Sequence, residues 1–96
     1  MKSKPTWFLY LIRCADHSLY TGITVDLDRR FTEHQSQGKK CAKYLRGKSP
    51  LTLVFTIEVG TKSDASRLEL RLKKCPKATK EKLVAGLIAV ESIQHN

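Results

Sequence analysis

From Leu51 to Val59 apolar residues take every second position. Leu51, Leu53, Phe55, Ile57 and Val59 alternate with Thr52, Val54, Thr56 and Glu58, and Gly60 follows. Successive side chains on a strand point to opposite faces, so this period of two predicts a β-strand. Two more strand signals lie upstream. Trp7 to Arg13 is dense in aromatic and aliphatic residues, and Leu19 to Thr24 resumes after the turn residues Ala15-Asp16-His17-Ser18. The two runs read as a hairpin. Alternation puts Phe8, Tyr10 and Ile12 on one face, and Tyr20, Gly22 and Thr24 on one face of its partner. If these faces coincide, two phenols share one side of the sheet, and each buried hydroxyl needs a partner.

Helical patterns fill the intervals. Thr24 to Asp26 can cap a helix running to about Ser36, with Leu27 and Phe31 as its buried stripe. At about 100° per residue, Arg30 and His34 fall between or beside that stripe, whereas Arg29 points to solvent. Ser63 or Asp64 starts a second helix running to about Lys74, with Ala65, Leu68 and Leu72 as its apolar stripe and Glu69 inside it. Pro76 breaks it. A third helix is expected from about Lys77 to Ala85, stopped by Gly86. Leu87 to Ile93 fits either a helix extension or a docked tail.

The chain has 96 residues, enough for one domain, with a core over about 7–85 and a tail over 86–96. Eighteen Lys and Arg against nine Asp and Glu give a net charge of +9. That excess favours a polyanionic partner. Nucleic acid fits better than a membrane, because no segment pairs an apolar face with a continuous basic one. Cys14, Cys41 and Cys75 are odd in number and widely spaced, which argues against a disulfide framework, and His17, His34 and His95 lack zinc-site spacing. Reduced thiols in a cytoplasmic protein are expected. Met1 to Pro5 lacks the apolar run of a signal peptide.

Four polar groups from separate elements point inward: Tyr10, Tyr20, Arg30 and Glu69, with His34 at their margin. One explanation is structural: a buried Arg30–Glu69 ion pair with two hydrogen-bonded tyrosines. The other is phosphodiester hydrolysis. A carboxylate can hold a divalent metal whose other ligands are water, a guanidinium can grip phosphoryl oxygens, and a phenol can take a proton from water if nearby cations lower its pKa. One carboxylate favours a single metal over a pair.

Phe8-Leu9-Tyr10, Tyr20-Thr21-Gly22 ten residues on, Asp26-Leu27-Asp28-Arg29-Arg30-Phe31, His34, the basic Ala42-Lys43-Tyr44-Leu45-Arg46 segment and Glu69 together resemble the GIY-YIG nuclease superfamily, especially its small single-domain bacterial members. The likeness spans residues 7 to about 83. It implies an α/β chain of the α+β kind, a small three-stranded antiparallel sheet flanked by helices. It also implies that Tyr20 activates the attacking water, Tyr10 is its hydrogen-bonding companion, Arg30 is the catalytic arginine and Glu69 the metal ligand, with magnesium or manganese (Mg2+ or Mn2+) as cofactor. Gly22 matches the glycine that lets phosphate approach, and His34 stands where members carry His or Tyr. Phe8 and Leu9 replace the first triplet's glycine and isoleucine, and Ile23 stands where repair-type members carry lysine.

Nucleic acid is expected at the Gly38–Lys48 loop, where Lys39, Lys40, Lys43 and Arg46 can neutralise phosphates and Tyr44 can stack on a base. Lys73, Lys77 and Lys80 extend that basic surface. The leading expectation is a metal-dependent endonuclease of little sequence preference, acting on DNA by resemblance alone. The alternatives are a non-catalytic nucleic-acid-binding module and a protein-binding adaptor.

Overall fold

The computed structural model describes residues 4–94. Met1 to Ser3, and His95, set aside above as a zinc ligand, lie outside the described residues. β1 (Trp7–Arg13) and β2 (Leu19–Thr24) form the expected hairpin. They are followed by α1 (Leu27–Gln35), a 3₁₀ turn at Lys43–Leu45, β3 (Thr52–Gly60), α2 (Lys62–Lys73), α3 (Lys77–Val84) and α4 (Glu91–Gln94). The sheet is antiparallel with order β2-β1-β3, so β2 is an edge strand.

The helix ends follow from local chemistry. Asp26 caps α1 by accepting the Arg29 N–H at 3.0 Å. α2 is capped not by Ser63 or Asp64 but by Thr61, whose hydroxyl oxygen accepts the Asp64 N–H at 3.1 Å. Such a cap contributes about 1 kcal/mol. Gly86 closes α3 at φ +77°, a conformation that costs a residue bearing a Cβ more than it costs glycine.

The apolar residues of β3 do not share a face. The β1–β3 register shifts between Leu11, opposite Phe55, and Ile12, opposite Leu53. This bulge turns Leu51 and Leu53 toward α1, while Phe55, Ile57 and Val59 pack on the other side. Behind the sheet, Leu9, Leu11, Leu68, Leu72 and Leu83 form an aliphatic core that includes Val90 and Ile93. The C-terminal segment is therefore a docked tail. Each fully buried leucine contributes about 1.5–3 kcal/mol. In front of the sheet lie Tyr10, Ile12, Cys14, Cys41, Leu45 and Leu51, covered by α1 and the loop after it. Leu27 and Phe31 are only half-buried, and the one fully buried residue of α1 is His34. Arg13 ties the end of β1 to α3 through a forked pair with Glu81 at 2.8 and 2.6 Å.

Candidate active site

Register brings the two phenols together. Tyr10 stands opposite Gly22, and Tyr20 opposite Ile12, so the two predicted faces coincide. The Tyr10 and Tyr20 rings are 6.4 Å apart, centroid to centroid. A Cβ on Gly22 would overlap the Tyr10 hydroxyl and its ring carbons. Gly22 is buried, and its missing side chain makes room for Tyr10 rather than for an incoming phosphate.

His34 is at the centre of the cluster, not its margin. It is fully buried, and its Nε2 lies 2.8 Å from the Tyr10 hydroxyl. The Ala42 backbone N–H donates to Nδ1 at 3.3 Å. Burial, and then the Arg30 charge, push its pKa down to about 4, so the ring is neutral at neutral pH. A neutral imidazole that accepts at Nδ1 carries its proton on Nε2. His34 therefore donates to the Tyr10 oxygen.

Arg30 reaches the sheet side as expected and Arg29 does not. The Arg30 Nη1 donates to Glu33 Oε1 at 2.9 Å and to the Lys40 carbonyl at 2.6 Å. Its charge and hydrogen-bonding reach extend to Tyr10. Glu69 pairs instead with Lys73, one helical turn along, at 3.4 Å. The purely structural explanation, an Arg30–Glu69 ion pair, is not what the fold builds. Glu33 as the partner of Arg30 was readable from their (i, i+3) spacing.

The phenols are not activated by the protein's own cations. Burial, with the nearby Tyr20 and Glu69, pushes Tyr10 well above the ordinary phenol range despite Arg30. Burial also raises Tyr20, against the opposing charges of Lys73 and Arg30. The expected lowering by neighbouring cations has the right sign but is outweighed. Both phenols are protonated at neutral pH.

Tyr44 contacts the site directly. Its ring stacks on Tyr20 with centroids 5.8 Å apart at 28°, and the Lys48 ammonium lies 3.4 Å from its centre. A base cannot simply land on a free ring here, because Tyr20 and Lys48 already engage it. Arg46 is likewise committed, donating to the Gly38 and Lys39 carbonyls at 3.3 Å each. Lys39, Lys40 and Lys43 are exposed. Gln37, which the sequence gave no reason to single out, braces the loop: its Nε2 donates to the His34 and Leu45 carbonyls at 3.0 and 3.1 Å, and its Oε1 accepts the Gly47 N–H at 2.7 Å.

Beyond the β2 edge opens a cavity of about 380 Å³ lined by Leu19, Tyr20, Thr21, Tyr44, Lys73 and Lys80. Lys80 joins Lys73 there because α3 is anchored to β1. Among the described residues no group of three or more His, Cys, Asp or Glu could encase a metal ion. Glu69 is the carboxylate that acts on both phenols, and its side chain is 23% exposed. One solvent-touching carboxylate fits a single hydrated magnesium-type cation and does not fit a pair of metals.

With this geometry in hand, comparison with known proteins gives consistent matches. The model of the GIY-YIG catalytic domain matches residues 6–82. The UPF0213 protein of Cronobacter sakazakii is 57% identical over 88 residues, covering 92% of this chain and 90% of that protein. The UPF0213 protein YhbQ of Escherichia coli K12 is 60% identical over 79 residues, covering 82% and 77%. Two solution structures share the fold. The protein EF2693 of E. faecalis has a TM-score of 0.60 at 32% identity over 91% of both chains, and the UPF0213 protein BH0048 of Bacillus halodurans has 0.54 at 41% over 83% of both. The chain belongs to the GIY-YIG catalytic domain family.

Proposed function

We propose that this protein is a divalent-metal-dependent endonuclease that hydrolyses phosphodiester bonds in DNA with little sequence preference. One observation carries the reading. Tyr20 lines an open cavity at the β2 edge walled by Lys73 and Lys80, and the charges of Arg30 and Glu69 act on both Tyr20 and the Tyr10 held by His34. A structural ion-pair network has no need of that opening.

In this reading Tyr20 presents its oxygen to the attacking water and orients it. It could take the water's proton only after giving up its own to solvent, which the added positive charge of a cation held at Glu69 would favour. Tyr10, supplied with a donor by His34, keeps its own hydroxyl proton to donate. Arg30 has spent Nη1 on Glu33 and Lys40, and its remaining N–H groups serve Tyr10 and a non-bridging phosphoryl oxygen. Glu69 would hold the cation, which when bound supplies positive charge at the phosphoryl and leaving oxygens. Lys73 and Lys80 neutralise flanking phosphates.

A second reading, a non-catalytic nucleic-acid-binding module, is favoured by the neutral state of both phenols. Cleavage of flaps, junctions, single strands and duplexes with Mg2+ or Mn2+ separates the two. The endonuclease reading requires metal-dependent cutting that Tyr20→Phe, Arg30→Ala and Glu69→Ala each slow by about 10²-fold or more. The binding reading requires salt-sensitive binding with no cutting. Equal cutting by all four proteins would point to a contaminant and overturn the assignment of the site.

A further inference from the structure

The residue placed to hold the metal is already occupied. Lys73 Nζ lies 3.4 Å from Glu69 Oε2, one turn along the same flank of α2, and their side chains are 51% and 23% exposed. The same Lys73 lines the cavity with Tyr20 and Lys80. The opposite flank of α2 is different. Arg67 there pairs with Asp64 at 3.9 Å, far round the helix from Glu69. One ammonium thus stands at the boundary between the carboxylate and the space where phosphate oxygens would enter.

We propose that Lys73 is the resident counter-ion of Glu69, and that it must leave the carboxylate before a divalent cation binds there, which frees it to take a phosphate in the cavity. This rests on the reading of Glu69 as the metal ligand. A cation on Glu69 and an ammonium beside it repel, and a carboxylate oxygen shared by both serves each less well. Half-exposed ion pairs are weak, so Lys73 can be displaced at little cost. The arrangement couples two events. A phosphate that draws Lys73 away uncovers Glu69, and by linkage a cation on Glu69 makes Lys73 available to phosphate.

The test is direct Mn2+ binding to the purified free protein, read from the EPR signal of unbound Mn2+ at low ionic strength. No nucleic acid or cleavage is involved. Wild type, Lys73→Met, Lys73→Arg and Glu69→Gln would be compared, with circular dichroism confirming that each is folded. Lys73→Met should bind Mn2+ about three- to tenfold more tightly than wild type, as expected for loss of one weak competitor and one like charge. Lys73→Arg should return the affinity to near the wild-type value. The gain should shrink in high salt. Equal affinity in wild type and Lys73→Met, with Glu69→Gln still abolishing binding, overturns this inference and leaves Glu69 as the ligand. Mn2+ binding that Glu69→Gln does not weaken, or none in any variant, overturns both.

Discussion

Behind β1, Leu9 and Leu11 are fully buried among Leu68, Leu72, Leu83, Val90 and Ile93. In front of β1, Tyr10 is almost as deeply buried, but its neighbours are His34, Cys41 and the half-buried Tyr20. The rear face is held by apolar area, which has no direction. The front face adds to its own apolar cluster of Ile12, Leu45 and Leu51 a chain of directed bonds, Ala42 N–H to His34 and His34 to Tyr10, with Arg30 donating separately to the Lys40 carbonyl. Apolar packing tolerates substitutions of similar volume, whereas each link of the front chain depends on the one before it. The difference teaches where this small domain keeps its stability and where it keeps its chemistry. Both are served by alternate residues of one strand.

The largest stability effect should come from breaking the rear face. Leu72→Ala removes a side chain that is 1% exposed and should cost about 2–5 kcal/mol in urea unfolding, while molecules that remain folded keep their cleavage rate. A loss of rate per folded molecule comparable to that of a front-face variant would blur the contrast.

The front face should instead respond to pH. The folded pKa of His34, about 4, lies below its ordinary 6.5. Between those values the unfolded chain binds more protons than the folded one. Stability is therefore complete above about pH 6.5 and falls as pH drops toward 4, by on the order of 3 kcal/mol in total, then levels off. Urea midpoints from pH 4 to 7 should fall more steeply on acidification for wild type than for His34→Gln. Parallel curves would contradict the neutral, buried imidazole.

A smaller effect sharpens the role of Gly22. Gly22→Ala should cost about 1–3 kcal/mol, because the new methyl group collides with the Tyr10 phenol. In a Tyr10→Ala background the same change should cost almost nothing, so a double-mutant cycle isolates the collision. If the penalty persists without the phenol, the glycine serves some other need. The smallest effect belongs to the exposed loop. Lys43→Ala should leave stability unchanged and lower the dependence of nucleic-acid affinity on salt by about one unit of slope. An unaltered slope would remove Lys43 from the contact surface.

Much of this arrangement was legible in the sequence, for reasons that differ by residue. Strand period put Tyr10 and Tyr20 each on a definite face of its own strand, and the hairpin register, with Tyr20 opposite Ile12 and Tyr10 opposite Gly22, makes the two faces one. Caps and Pro76 marked the helices to within a residue or two, though Thr61 took the cap expected of its neighbours. The bulge that divides β3 between both faces leaves no trace in an alternating pattern, because the apolar residues suit either side. His34 looked marginal because helical geometry alone cannot reveal that the loop after α1 folds over it and delivers the Ala42 N–H. Gln37 and Tyr44 on Tyr20 depend equally on tertiary placement, whereas Lys73 on Glu69 was readable from their (i, i+4) spacing. The docking of Val90 and Ile93 needed the rear face to exist first.

The central claim is that the front face is assembled for hydrolysis, with Tyr20 as the group that meets the water. Its most direct test is Tyr20→Phe, measured for melting temperature and Mg2+-dependent cleavage rate on the same preparation as wild type. The substitution removes one oxygen at the cavity wall. We expect an almost unchanged melting temperature and a rate lower by about 10²–10⁴-fold. A Tyr20→Phe protein that melts with wild type and cuts as fast would contradict the account.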